Sequence, residues 1–60
     1  MVLRFKLHYM KTSYVFFDVR RYSITKKFLR ISRETHIDTY SLQLVEYVYE
    51  DGALVYGKEK

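Results

Sequence analysis

From Val2 to Met10 apolar and polar side chains alternate, with Leu3, Phe5, Leu7 and Tyr9 on one face and Arg4, Lys6 and His8 on the other. Side chains of a β-strand point to opposite faces in turn, whereas a helix repeats every 3.6 residues, so this period of two commits the segment to a half-buried strand. The chain therefore starts as a ribbon with one greasy and one cationic side. Everything that follows must supply a cover for the greasy side.

Few covers are available. The chain has 60 residues and no cysteine, which excludes a disulfide, and its two histidines are too few for a structural zinc. A chain of this length buries only about 60% of the surface its unfolded form exposes. Seven Tyr and four Phe compensate, because each buried ring removes about 150–250 Å² from water. What remains is expected to be covered by self-association, so a homo-oligomer, a homodimer above all, is the expectation. No proline or low-complexity tract marks a linker, and residues 1–60 read as one small β-rich domain.

The second segment, Tyr14 to Tyr22, reads as a strand joined to the first by the polar break Lys11-Thr12-Ser13, forming a hairpin. Val15, Phe17 and Val19 fall on one side, with Tyr14, Phe16, Asp18, Arg20 and Tyr22 on the other. Ser23 to Arg33 supports two readings. As a strand it turns Leu29 and Ile31 inward and Phe28, Arg30 and Ser32 outward. As a helix it is capped by Ser23, with Ile24, Phe28 and Ile31 at i, i+4 and i+7. Lys26 and Lys27 oppose the helix dipole in its first turn, which favours the strand. The lack of Gly, Asn or Asp near Tyr22–Thr25 for a tight turn favours the helix.

Glu34 to Thr39 is polar and reads as a loop. Tyr40 to Tyr49 is rich in Tyr, Val and Leu and reads as a strand whose inward set shifts from Leu42 and Leu44 to Tyr47 and Tyr49, which places a β-bulge near Val45 and Glu46. Asp51-Gly52 predicts a type I′ turn that returns Ala53–Tyr56 antiparallel to Val45–Tyr49, with Gly57–Lys60 as a fraying tail. The sum is an all-β fold of five short antiparallel strands, a small SH3-like or OB-like barrel or a curled meander. The alternative is α+β, a ββαββ arrangement with a short helix at 23–33.

Function is constrained mainly by charge. Residues 1–33 carry nine basic side chains against Asp18 alone, a net +8, and residues 34–60 carry six acidic against two basic, a net −4. Such asymmetry points to a polyanion for the basic half. Outward Arg4, Lys6 and His8, Phe16, Arg20, Arg21 and Tyr22, then Lys26, Lys27, Phe28 and Arg30, combine cations that track phosphates with rings that stack bases, and they are the candidate nucleic-acid-binding residues. The same cations also suit pairing with Glu46, Glu50 and Asp51, and Phe16 and Phe28 also suit a core or a subunit interface. Tyr40, Tyr47, Tyr49 and Tyr56 form a second candidate surface for a protein partner, reinforced by an exposed edge strand.

No catalytic constellation is expected. His8 and His36 are far apart, His36 and Asp38 read as ordinary loop residues, and two glycines cannot build a phosphate loop. The chain is expected to be a non-enzyme without cofactor or metal. Charges interrupt the first apolar stretch, so no secretory signal is expected, and no apolar run approaches the roughly 20 residues of a membrane helix. A cytoplasmic location is the default, consistent with the absence of cysteine.

Overall fold

The computed structural model describes residues 1–59. Lys60, the last residue of the expected fraying tail, lies outside the described residues. Seven strands are present: β1 (Leu3–Leu7), β2 (Tyr14–Phe16), β3 (Val19–Ile24), β4 (Phe28–Arg33), β5 (Ile37–Ser41), β6 (Val45–Glu50) and β7 (Ala53–Gly57), with a single 3-10 turn at Leu42–Leu44. They form two antiparallel sheets, ordered β2-β1-β6-β7 and β3-β4-β5. The fold is all-β as expected, but it has seven strands rather than five, and two open sheets sharing one core rather than a closed barrel. No described helix is long and apolar enough to cross a membrane.

The alternation at the start of the chain holds over Leu3–Leu7, where Leu3, Phe5 and Leu7 are buried and Arg4 and Lys6 face outward, but the strand ends there, and Tyr9, expected on the inward face, lies in the turn that follows and is 71% exposed. β6 contributes Val45 and Val48 to the same core, and the opposing sheet contributes Val19 from β3 and Leu29 and Ile31 from β4. Phe5 lies at the centre. Its ring packs on Tyr14 and Phe16 of its own sheet at 5.2 and 5.3 Å between centroids, and on Tyr40 of the other sheet at 5.1 Å.

Several departures from the sequence expectations have identifiable causes. The expected strand Tyr14–Tyr22 breaks at Phe17–Asp18, where the chain crosses between sheets. Asp18 is held there by Arg33, and Phe17 is left 76% exposed. Pairing of Leu3 with Phe16 and of Phe5 with Tyr14 turns Tyr14 and Phe16 inward, so Phe16 is not an outward residue.

Residues 23–33 are neither one strand nor a helix: they hold the last two residues of β3, the turn and the whole of β4. This turn needs no glycine because the Thr25 hydroxyl oxygen accepts from the backbone N–H of Lys27 and Phe28, at 3.3 and 3.0 Å, while Thr25 N–H donates to the Phe28 carbonyl. A side-chain oxygen thus does the work of a turn carbonyl. Leu29 and Ile31 point inward and Phe28, Arg30 and Ser32 outward, as the strand reading required.

The expected loop Glu34–Thr39 is shorter than predicted, because Arg33 N–H donates to the His36 carbonyl and β5 begins at Ile37. The expected strand Tyr40–Tyr49 is interrupted by the 3-10 turn. Its bulge falls at Glu46, as predicted: Lys6 pairs with Tyr47 but Leu7 with Val45, leaving Glu46 as the extra residue. The inward residues are nevertheless Val45 and Val48, while Tyr47 and Tyr49 sit opposite Lys6 and Arg4 on the outer face.

The Asp51-Gly52 turn has φ of 47° and 87° at its two central residues, which is the type I′ geometry, and it returns β7 antiparallel to β6. Gly57, at φ 73°, lets the end of β7 pass directly against the Glu46 carbonyl, leaving no room for a side chain.

Candidate nucleic-acid interface

The eleven basic and aromatic candidates do not share one face. Arg4, Lys6 and His8 lie on the outer face of the four-stranded sheet, where the β6–β7 arm brings carboxylates to meet them. The Arg4 guanidinium stacks over the Tyr49 ring at 4.3 Å and lies 5.4 Å from the Tyr47 centroid, and it pairs with Glu59 at 3.5 Å. Lys6 pairs with Glu46 at 3.1 Å, and His8 Nδ1 lies 3.7 Å from the same carboxylate oxygen. This face is close to neutral, and its cations are engaged within the molecule.

The other sheet differs. On its outer face the cross-strand rows are Arg21–Ser32–Ile37, Ser23–Arg30–Thr39 and Phe28–Ser41, read off the β3–β4 and β4–β5 registers. A bulge leaves Arg20 as an extra residue beside Arg21 at one end, because Val19 pairs with Arg33 while Arg21 pairs with Ser32. The Thr25 turn puts Lys26 and Lys27 at the other end. Arg20, Arg21, Lys26, Lys27 and Arg30 are all exposed, and among the described residues none forms a salt bridge.

Six of the seven carboxylates are occupied elsewhere. Asp18 and Asp38 hold Arg33, Glu46 and Glu59 hold the Lys6 and Arg4 side chains, Glu50 accepts from Tyr22, and Asp51 accepts from the Val2 N–H. Five like charges on one small face repel one another, so the arrangement costs stability unless a polyanion arrives.

Relief on this face comes from residue size. Phe28 and Arg30 stand among Ser23, Ser32, Thr39 and Ser41, and the short hydroxyl side chains leave two depressions. One, of about 290 Å³, is lined by Lys26, Lys27, Phe28, Ser41 and Gln43. The other, of about 240 Å³, is lined by Arg21, Tyr22, Ser23, Arg30 and Ser32. Phe28 is 45% exposed. Sequence reasoning missed the hydroxyl and amide residues because it treated Ile37–Thr39 as loop. Reading β5 as a strand would have placed Thr39 and Ser41 beside Arg30 and Phe28.

No family model, curated protein or solved structure matches the chain. The reading of this face rests on its geometry and chemistry.

The remaining candidates have structural surroundings. Phe16 packs inward under the Arg33 guanidinium, which lies 4.0 Å from its ring centroid. Arg33 is the clamp at this edge of the core, since its Nε donates to Asp18 at 2.9 Å and its Nη1 to Asp38 at 3.4 Å. The Arg33 hydrogen bond holds the Asp18 carboxyl below the usual carboxylate range. His36 Nε2 lies 3.3 Å from Asp38, already shared with that arginine, and the described residues hold no group of three metal-ligating side chains. The four tyrosines also separate: Tyr40 and Tyr56 pack against the core, whereas Tyr47, only 4% exposed, and Tyr49 lie beside Arg4.

Tyr22 is not an outward residue: it pairs with Ile31 and packs against the core, and although it borders one depression, its hydroxyl reaches across to the four-stranded sheet and donates to Glu50. That hydrogen bond, helped by burial, pushes its pKa up to about 12 from 10.0. A raised value means the tie contributes fully below pH 10 and is lost as pH rises through about 12. We expect urea midpoints of the protein to fall across that alkaline window, and to fall less steeply in Tyr22→Phe, which has no proton to lose there. Equal slopes for the two proteins would show that this tie contributes nothing to stability.

Proposed function

We propose that the chain is a small cytoplasmic nucleic-acid-binding domain of low sequence discrimination, and that the outer face of the three-stranded sheet is its binding surface. The observation that carries this reading is the group of five exposed cations, Arg20, Arg21, Lys26, Lys27 and Arg30, without a carboxylate partner among the described residues, on a face that also carries an exposed aromatic ring at its Lys26–Lys27 end. Cations of this kind neutralise phosphates and release counterions, a sequence-independent source of affinity. Arg4 and Lys6 play no part, because Glu59 and Glu46 already neutralise them, and His8 lies beside the same Glu46 carboxylate. The test is oligonucleotide affinity as a function of salt. Log affinity should fall linearly with log salt, with a slope near −3.5 for a single strand if five phosphates are met, at about 0.7 each. No binding at low salt would remove the proposal.

A second reading, docking of another copy on edge strand β7, is favoured by one observation. Ala53, Leu54 and Val55 are exposed on an uncharged strand that has a partner on one side only. Antiparallel approach of a second β7 would set Asp51 of one copy near Lys58 of the other, a complementary arrangement. It ranks second because Val55 is a bulge residue, opposed by neither Val48 nor Tyr49, and bulges discourage edge pairing. A monomer at every concentration in sedimentation would eliminate it.

A further inference from the structure

We propose that the occupant of the three-stranded face is specifically a single-stranded nucleic acid, with one unpaired base laid on the Phe28 ring and flanking phosphates at the Lys26–Lys27 turn and at Arg21 and Arg30. This deepens the nucleic-acid reading and rests on it. Phe28 is the only aromatic ring projecting from this face in the cross-strand rows, and it forms one wall of the depression that Lys26, Lys27, Ser41 and Gln43 complete.

Such a wall has one use that suits both its chemistry and its neighbours. An aromatic face stacks on the face of a base, which a duplex hides inside its stack and a single strand offers freely. The Gln43 amide in the same depression supplies both a donor and an acceptor for a base edge. Arg30, two residues along β4 and about 7 Å away, presents a planar guanidinium able to stack on the next base or to grip its phosphate.

Shape argues the same way. The major groove of a duplex is read by a protruding helix or ribbon, whereas this face carries depressions between short serines and threonines. Its extent, three strands at about 4.8 Å spacing, matches a run of two or three nucleotides, the length that sheet-borne aromatics hold in other single-strand readers.

The experiment measures fluorescence anisotropy of a labelled oligothymidylate, the matching oligouridylate and a DNA duplex of equal length, each against the intact protein, Phe28→Ala and Phe28→Tyr. The single strands are expected to bind more tightly than the duplex at equal salt. Phe28→Ala is expected to weaken the single-strand complexes by about 5- to 150-fold with an unchanged salt slope, since a stacking surface is lost and no charge is. Phe28→Tyr, which keeps the ring, is expected to retain affinity. Circular dichroism of Phe28→Ala checks that the fold persists, and if it does not, the comparison of single strand with duplex on the unaltered protein decides alone. A duplex bound as tightly as the single strands, or a folded Phe28→Ala that binds them undiminished, overturns the single-strand proposal while a steep salt slope keeps the broader reading. Absence of binding by all three probes overturns both.

Discussion

Phe5→Ala is expected to cause a large loss of stability, lowering the urea midpoint by roughly a third or more. Phe5 is fully buried and is the residue on which Tyr14, Phe16 and Tyr40 converge, so its ring joins the two sheets as well as filling space. Deleting a buried phenylalanine costs about 3–5 kcal/mol, from the lost transfer energy and from the cavity left behind. At roughly 0.05–0.15 kcal/mol per residue, a chain of this size has a total stability on the order of 3–9 kcal/mol. The loss therefore consumes from about a third to all of that stability, with no disulfide to limit the damage. Phe5→Leu, which keeps much of the volume, is expected to stay folded with a lowered urea midpoint. Near-ultraviolet circular dichroism and urea titration check both variants, and a cooperative, near-native transition for Phe5→Ala would mean that the sheets are joined chiefly elsewhere.

Where pattern and local chemistry coincide, the fold is legible from the chain. Leu3, Phe5 and Leu7 alternate with Arg4 and Lys6, Asp51-Gly52 meets the backbone demands of a type I′ turn, and the bulge expected near Val45 and Glu46 falls at Glu46, although the side chains it turns inward are not the expected ones. The illegible parts depend on partners distant in sequence or on a side chain standing in for backbone. The break after Phe16 is held by an ion pair between Asp18 and Arg33, fifteen positions apart. The β3–β4 turn is made by the Thr25 hydroxyl, so the residue types usually sought at a hairpin are missing. Tyr47 and Tyr49 suggest a core by composition, but the bulge turns them to the outer face, where the Arg4 guanidinium covers them.

The candidate site divides along the same line. Lys26, Lys27, Phe28 and Arg30 could be grouped from the chain because the period of two in β4 puts Phe28 and Arg30 on one side and the turn sits next to them. Arg4 and Lys6 looked equivalent, yet Glu46 and Glu59 meet them from 40 and 55 positions away. Charge counted along the sequence gives a basic half. Charge counted over the surface gives one basic sheet face and one neutralised face, and only the former has unspent attraction for an anion.

That distinction carries the prediction with the largest effect on binding. Arg20→Ala, Arg21→Ala, Lys26→Ala and Lys27→Ala combined in one protein should lower oligonucleotide affinity by roughly a thousandfold at low salt and cut the salt slope by about 2.8, because four phosphate contacts at about 0.7 counterions each disappear. Arg4→Ala combined with Lys6→Ala, although it removes two formal positive charges, should leave that slope nearly unchanged, since Glu59 and Glu46 already neutralise those side chains. Stability separates a binding role from a structural one. The four cations touch no described carboxylate and repel each other, so removing them should hold or raise the melting temperature. Removing Arg4 and Lys6 strips cover from Tyr47 and partners from Glu46 and Glu59, and should lower it. Salt titrations paired with thermal melts check both variants. A slope that survives loss of the four cations, or one that follows Arg4 and Lys6 instead, would move the binding surface off the three-stranded sheet.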